Sequence, residues 1–235
     1  SDSIVELGCG TGYMITRPLI MMGYNVIGID LDSASIEYGR DVFQIEGVDG
    51  NRLQNCDLRN LNCIPDTIIA SEVLEHIHDE QLSEVLQIIR KNMNPEGSLL
   101  VTVPNGYGWF ELESFLWFKT GIGFLLSKSG IVSAVNLLKR MLFGKDIEPK
   151  YSSSVADSPH VQRFTYQSIQ NLLIQEGFEI ISITGSVLFA GPFSNMFFTG
   201  INAIMKLNCR LGEMLPKFSA GFYCQCRIVK TDVTL

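Results

Sequence analysis

Within the first dozen residues an apolar run, Ile4-Val5-Glu6-Leu7, breaks into glycines at alternate positions, Gly8, Gly10 and Gly12. A buried strand must end there. The backbone must then turn through conformations that a Cβ resists, and a helix is expected to follow. A second apolar stretch, Val26-Ile27-Gly28-Ile29, ends in Asp30. A carboxylate at that place can accept both hydroxyls of a ribose. The two strands together predict a nucleoside pocket at the carboxyl edge of a parallel sheet.

The glycine spacing bears on which nucleoside. A dinucleotide loop needs G-x-G-x-x-G, so that a pyrophosphate can rest on the helix N-terminus. Here the spacing is G-x-G-x-G, and Tyr13 stands where the third dinucleotide glycine would be. Glu6 is also out of place beside a diphosphate, whereas a carboxylate suits a ligand carrying an ammonium and a sulfonium. The stretch Val5-Glu6-Leu7-Gly8-Cys9-Gly10-Thr11-Gly12 resembles motif I of class I S-adenosylmethionine-dependent methyltransferases. The resemblance implies S-adenosylmethionine as cofactor, contacted by Glu6, Gly8, Cys9, Gly10, Gly12, Asp30 and Leu31. Asp57 and Leu58 are implied at the adenine, and Glu72 at the methionine end. For Asp57 a second reading stands, a surface residue capping a turn. Two rival functions are kept, a nicotinamide-dependent oxidoreductase and a noncatalytic cofactor-binding partner subunit.

The chain has 235 residues, 46% of them apolar, which suits one domain with a sizeable insertion. A net charge of −7 and the lack of a long basic run argue against a nonspecific polyanion binder, so nucleic acid is not the expected partner. Six cysteines form no C-x-x-C pair, and a reduced cytoplasmic protein is expected. Cys224 and Cys226 share one face of a strand and read as core.

Strands fit near 3–7, 25–29, 51–56, 66–70 and 97–103, and helices near 11–22, 33–46 and 79–92. The alternation predicts a mostly parallel sheet with helices on both faces. The pattern resumes with a helix near 166–176 and strands near 178–185 and 220–230. The expected organisation is a Rossmann-like core over 1–106, a helical insertion or lid over 107–158, and the rest of the core over 159–235, itself carrying an apolar insertion at 186–218. The methyltransferase resemblance adds that the sheet has seven strands, the last antiparallel.

The segment Ile68-Ile69-Ala70-Ser71-Glu72-Val73-Leu74-Glu75-His76-Ile77 carries the second signature. On a helix, Glu72, Glu75 and His76 would share a face. Two carboxylates and an imidazole at the end of a strand can hold Mg²⁺, Mn²⁺ or Zn²⁺. The region resembles strand four of the ubiquinone-biosynthesis O-methyltransferases. Its E-x-x-E-H pattern also resembles the metal site of small-RNA 3′-terminal 2′-O-methyltransferases, in which a second, distant histidine completes the site. His160 is the candidate for that ligand. Without a metal, His76 or His160 is the candidate general base. The implied reaction is transfer of a methyl group to a hydroxyl on a small or lipid-like acceptor.

Segment 107–158 holds both tryptophans, many phenylalanines and leucines, and Lys119, Lys128, Lys139, Arg140 and Lys145. Two readings stand. One is a lid whose aromatic residues cover the substrate pocket. The other is peripheral membrane contact through 107–145, since apolar and cationic residues interleave.

Overall fold

The computed structural model describes residues 2–143, 151–155, 159–198 and 201–229. The strands are β1 (Ser3–Leu7), β2 (Asn25–Asp30), β3 (Leu53–Asn55), β4 (Thr67–Ser71), β5 (Ser98–Pro104), β6 (Phe178–Gly185) and β7 (Gly221–Ile228). They pair into one seven-stranded sheet in the order β3-β2-β1-β4-β5-β7-β6. The first five are parallel, and β7 runs antiparallel between β5 and β6. The strand order reverses between β1 and β4. A ligand crevice is expected outside the carboxyl ends of those two strands.

The helices of the core are α1 (Thr16–Met21), α2 (Ser33–Ile45), α3 (Asp79–Lys91) and, after the insertion, α7 (Tyr166–Gln175). Local chemistry sets their ends. Asp32 caps α2 by accepting the Ser35 N–H at 2.9 Å. Thr165 and Ser168 form a capping box on α7. Asp79 and Glu80 open α3, and Arg90 and Lys91 close it, in line with the helix dipole. The apolar spacing of α3 buries Leu82, Leu86 and Ile89. Each such side chain contributes about 1.5–3 kcal/mol by leaving water. They share one core with Ile68, Leu99, Val101, Val103, Cys224 and Cys226, and with Ile169 and Leu173 of α7. The opposite face carries α1, α2 and the glycine loop. A Cβ on Gly28 there would lie 2.6 Å from Thr16 Oγ1, so β2 and α1 meet only through a glycine.

Two boundaries differ from the sequence expectation. The helix foreseen over 11–22 begins only at Thr16, because Glu6 captures the Thr16 N–H and fixes the first turn there. The strand foreseen over 51–56 is cut to Leu53–Asn55. Gly50–Arg52 forms a 3₁₀ turn that Asp49 caps through the Asn51 N–H at 3.0 Å.

The insertion forms α4 (Trp109–Lys119), α5 (Ile122–Lys128) and α6 (Ile131–Phe143). The second apolar insertion supplies α8 (Pro192–Phe198) and α9 (Asn202–Met214). Glu113 of α4 is buried and accepts the Ser194 N–H at 2.8 Å and the Trp109 indole N–H at 2.6 Å. It thereby joins the two insertions. No single helix among the described residues is long and apolar enough to cross a membrane; α5 and α6 together, bent by 63°, reach that length and composition. Lys145, residues 156–158 and the last residue of the foreseen final strand lie outside the described residues.

Candidate active site

A cavity of about 880 Å³ opens at the carboxyl ends of β1, β2 and β4, where the strand order predicts it. Gly8 and Gly10 form its floor and Gly12 follows against Leu53 and Phe43, with φ of +68°, +55° and +68°. Only glycine takes that left-handed backbone without strain. The approach is also close, since a Cβ on Gly8 would lie 2.7 Å from Val73 Cγ2.

Glu6 lies beneath this floor, 4% exposed. It accepts the Thr16 N–H at 2.8 Å and the Thr16 hydroxyl. Burial pushes its carboxyl up to about 7, against the lowering effect of both Thr16 hydrogen bonds, and the nearby Asp30 charge adds to the rise. Such a carboxyl is poised to ionise when a cation arrives. Asp30 ends β2 and uses each oxygen once. Oδ2 accepts the Gly10 N–H at 2.7 Å and Oδ1 accepts the Asp32 N–H at 2.8 Å. Each oxygen keeps a lone pair for a ribose hydroxyl. Cys9 is buried behind the loop, and burial raises its thiol, so it acts as packing and not as a nucleophile.

Beyond β3 the cavity is lined by Asp57 and Leu58. Asp57 caps a 3₁₀ turn and pairs with the Arg59 guanidinium at 2.8 and 2.9 Å. It therefore performs the turn-capping role, and it also lines the cavity. Leu58 is buried, whereas Leu31, also on the lining, is 74% exposed and gives the cavity an apolar lip.

The Glu72-to-His76 segment is not the helix its spacing suggests. Glu72 has φ +55°, the one non-glycine residue with positive φ among the described residues, and only Leu74–His76 forms a 3₁₀ turn. Glu72 stays beside Glu75, whose carboxyl it raises, while it also reaches across to β5. Its carboxylate accepts the Thr102 hydroxyl at 3.0 Å, and its N–H donates to the Thr102 carbonyl at 3.0 Å. Of the expected ligands Glu72, Glu75, His76 and His160, the last three have ligand atoms within 4.8 Å of one another. The turn itself brings His160 in. The Glu75 carbonyl accepts the N–H groups of Val161 and Gln162 at 2.9 and 3.0 Å, and the two imidazoles meet edge to face at 4.9 Å. His76 Nδ1 lies 3.1 Å from the Pro159 carbonyl. Donation of Nδ1–H to that oxygen leaves Nε2 as the lone-pair atom, a common arrangement for a metal-binding histidine.

Glu75 is fully buried, and neither carboxyl oxygen has a hydrogen-bond partner among the described residues. Burial first, then the Glu72 carboxylate, pushes its carboxyl up to about 8. An orphaned buried carboxylate beside two imidazoles fits a divalent cation.

Sequence reasoning missed several features. Thr102 and Tyr223 pair across β5 and β7, and Thr102 lies 2.9 Å from Ser71 through their hydroxyls, so a polar row leads away from Glu72. Register alone places Tyr223 there. Burial, then Glu72, raises its phenol. Ser153 and Ser154 line the cavity too, although they belong to the insertion. Among the described residues of the insertion, Ser153 and Ser154 contribute to the lining. Trp109 and Trp117 instead pack edge-on against Phe189 and Phe193.

A class I methyltransferase sheet with this cofactor edge is what fold and site define. The family model described as a methyltransferase domain matches residues 1–183. The chain belongs to that family, and it is of the S-adenosylmethionine-dependent type that the glycine spacing favours over a dinucleotide binder. It is 32% identical over 136 residues to the mitochondrial ubiquinone biosynthesis O-methyltransferase of Rattus norvegicus, covering 55% of this chain and 36% of that protein. It is 26% identical over 123 residues to sphingolipid C9-methyltransferase 1 of Gibberella zeae, covering 49% and 23%. The chain thus spans about a third of the length of the first curated relatives it matches. Its fold is similar to that of a solved S-adenosylmethionine-dependent methyltransferase of Methanosarcina mazei, with a TM-score of 0.57, 17% identity, and coverage of 98% and 94%.

Proposed function

We propose that this protein methylates a hydroxyl oxygen of a small or lipid-like acceptor, with a divalent cation held by Glu75, His76 and His160. The observation that carries this reading is the orphaned Glu75 carboxylate beside two imidazoles, on the turn that leaves β4 at the rim of the cofactor cavity. The lipid-like acceptor is supported by the names of the ubiquinone and sphingolipid relatives. It is also supported by the exposed Phe115, Phe118, Phe124, Leu125, Leu137 and Met141 of the insertion, a surface suited to contact with lipid.

S-adenosylmethionine, when bound, supplies an electrophilic methyl group on a sulfonium. Glu6 would hold the charged end and Asp30 the ribose, with the glycine loop passing beneath. A cation on Glu75, His76 and His160 supplies positive charge that favours an ionised hydroxyl. Glu72, held by Thr102, lies on the cavity wall between these two groups of residues and orients what binds there. Without a cation, His76 Nε2 is the base that takes the hydroxyl proton, while the Pro159 carbonyl fixes its tautomer. The site's main contribution is to hold donor and acceptor in line.

The test combines occupancy and turnover. Metal analysis after dialysis with Mn²⁺ or Zn²⁺ should find about one ion per chain, lost in Glu75→Ala, with S-adenosylhomocysteine affinity unchanged. Radiolabelled methyl transfer into a cell extract, fractionated into lipid, small molecule, glycan and RNA, identifies the acceptor. Full activity in EDTA would remove the cation and leave the histidine base.

A further inference from the structure

The segment Tyr151–Val155 follows the insertion in sequence, yet it lies against the glycine loop about 140 residues earlier. The Thr11 N–H donates to the Ser153 carbonyl at 3.0 Å, and the Thr11 hydroxyl donates to the Ser152 carbonyl at 2.8 Å. At the other end, the Val155 N–H donates to Ser35 Oγ at 3.0 Å. Tyr151 meets Tyr13 edge to face at 5.3 Å. Contact is close enough that a Cβ on Gly10 would lie 2.3 Å from the Ser153 carbonyl oxygen. Thr11 and Ser35 are both fully buried.

The two anchor points have a meaning in the fold. Thr11 belongs to the loop after β1, and Ser35 to the first turn of α2, just after β2. Between them lies Asp30, whose carboxylate ties the same two loops together through Gly10 and Asp32. The segment therefore crosses the cleft between the carboxyl ends of β1 and β2. Ser153 and Ser154, between the anchors, lie on the wall of the cavity.

We propose that Tyr151–Val155 is a strap that forms the outer wall of the nucleoside site, holding the adenosine part of the cofactor against Asp30. The proposal rests on the placing of the cofactor given above. It assigns a binding role to residues outside motif I and outside the α/β core. The strap meets the core through backbone carbonyls and one amide, so side-chain identity at Ser153 matters little to it. Its anchors Thr11, Ser35 and Tyr13 matter more. Tyr13, which takes the place of the third dinucleotide glycine, thereby gains a purpose as a seat for Tyr151.

Ser35→Ala removes the acceptor for the Val155 N–H and keeps the Ser35 N–H that Asp32 needs. Tyr151→Ala removes the ring contact. A buried hydrogen bond and an aromatic edge contact are each worth about 1 kcal/mol. The double variant should therefore bind S-adenosylhomocysteine about thirtyfold more weakly in isothermal titration. 5′-Methylthioadenosine, which lacks the amino-acid end, should weaken by the same factor. Amide exchange at Thr11 and Val155 should slow when either ligand binds to the wild-type protein, and circular dichroism should confirm that the double variant is folded. If only S-adenosylhomocysteine weakened, the strap would act on the methionine end and the nucleoside assignment would fall. Unchanged affinity for both ligands, with ligand-independent exchange at Thr11 and Val155, would refute the strap alone. Wild-type protein that bound neither ligand would refute the cofactor placement beneath it.

Discussion

Replacing Glu6 by glutamine isolates a cost carried inside the cofactor site. The carboxyl ionises near its ordinary 4.5 when the chain is unfolded and at about 7 when it is buried over α1. Below pH 4.5 the group is protonated in both states and has no effect on stability. Between pH 4.5 and 7 the unfolded chain releases this proton and the folded one keeps it, so stability falls as pH rises. Above pH 7 the full difference stands, roughly 3 kcal/mol. Glutamine is neutral throughout, and its amide oxygen can still accept the Thr16 N–H and hydroxyl. The variant should match the wild-type protein at pH 4.5–5 and exceed it by up to about 3 kcal/mol at pH 8. For a domain of this size that corresponds to a melting temperature about 6–12 °C higher. Urea unfolding of both proteins at pH 5, 6, 7 and 8 measures the gap, and the difference cancels other titrating groups, Glu75 among them. A gap that stays constant across this range would refute the reasoning. The gain should carry a functional loss. Glu6→Gln should bind S-adenosylhomocysteine more weakly, because the site then lacks the charge that the ligand's ammonium restores.

Other consequences follow from the same geometry. Asp30→Ala should abolish measurable binding of S-adenosylhomocysteine while circular dichroism stays unchanged; retained affinity would take Asp30 out of the ribose site. Wild-type binding should strengthen as pH rises towards 7 and release a proton, read as a dependence of the calorimetric heat on buffer, and Glu6→Gln should lose that dependence. Gly39→Ala would place a Cβ 2.4 Å from the Thr11 carbonyl oxygen, and should lower the melting temperature and cofactor affinity together, because α2 would be pushed off the loop. Phe115→Ser with Phe118→Ser and Phe124→Ser should reduce co-sedimentation with anionic vesicles; equal sedimentation would remove the insertion from lipid contact.

How much of this could be read from the chain depends on how local the cause is. The glycine loop and Asp30 follow from neighbouring residues, since a strand end, a turn and a carboxylate all lie within a few positions. Glu75 and His76 were legible as a pair, and His160 followed from the scarcity of histidines. The contact of Glu72 with Thr102 was not legible, because helical spacing was assumed where the backbone takes φ +55° and then a 3₁₀ turn. Nothing in side-chain pattern announces that strain. The insertion was legible as helical from its apolar content. Its aromatic residues were read as a pocket cover or a membrane surface, because composition does not say which neighbour they meet. In the structure that neighbour is the second insertion, through Phe189 and Phe193. Tyr151–Val155 left no trace in the sequence, since it acts through peptide groups that every residue has.

The antiparallel strand β7 has a further consequence, for the order in which the molecule can be assembled. It fills the slot between β5 and β6, yet it follows both of them in the sequence. Until it arrives, β5 presents an unpaired edge of apolar residues, and β6 has no partner in the sheet. A ribosome releases the N-terminal strands long before residue 221, so the cofactor half has time to form first while the sheet stays open along one side. Such an edge is a template for pairing with other chains. Completion waits on contacts between distant parts of the sequence, which close slowly. A nascent chain stalled after residue 219 should therefore hold the glycine loop and its ligand site beside an unsealed sheet, and be the species most prone to associate.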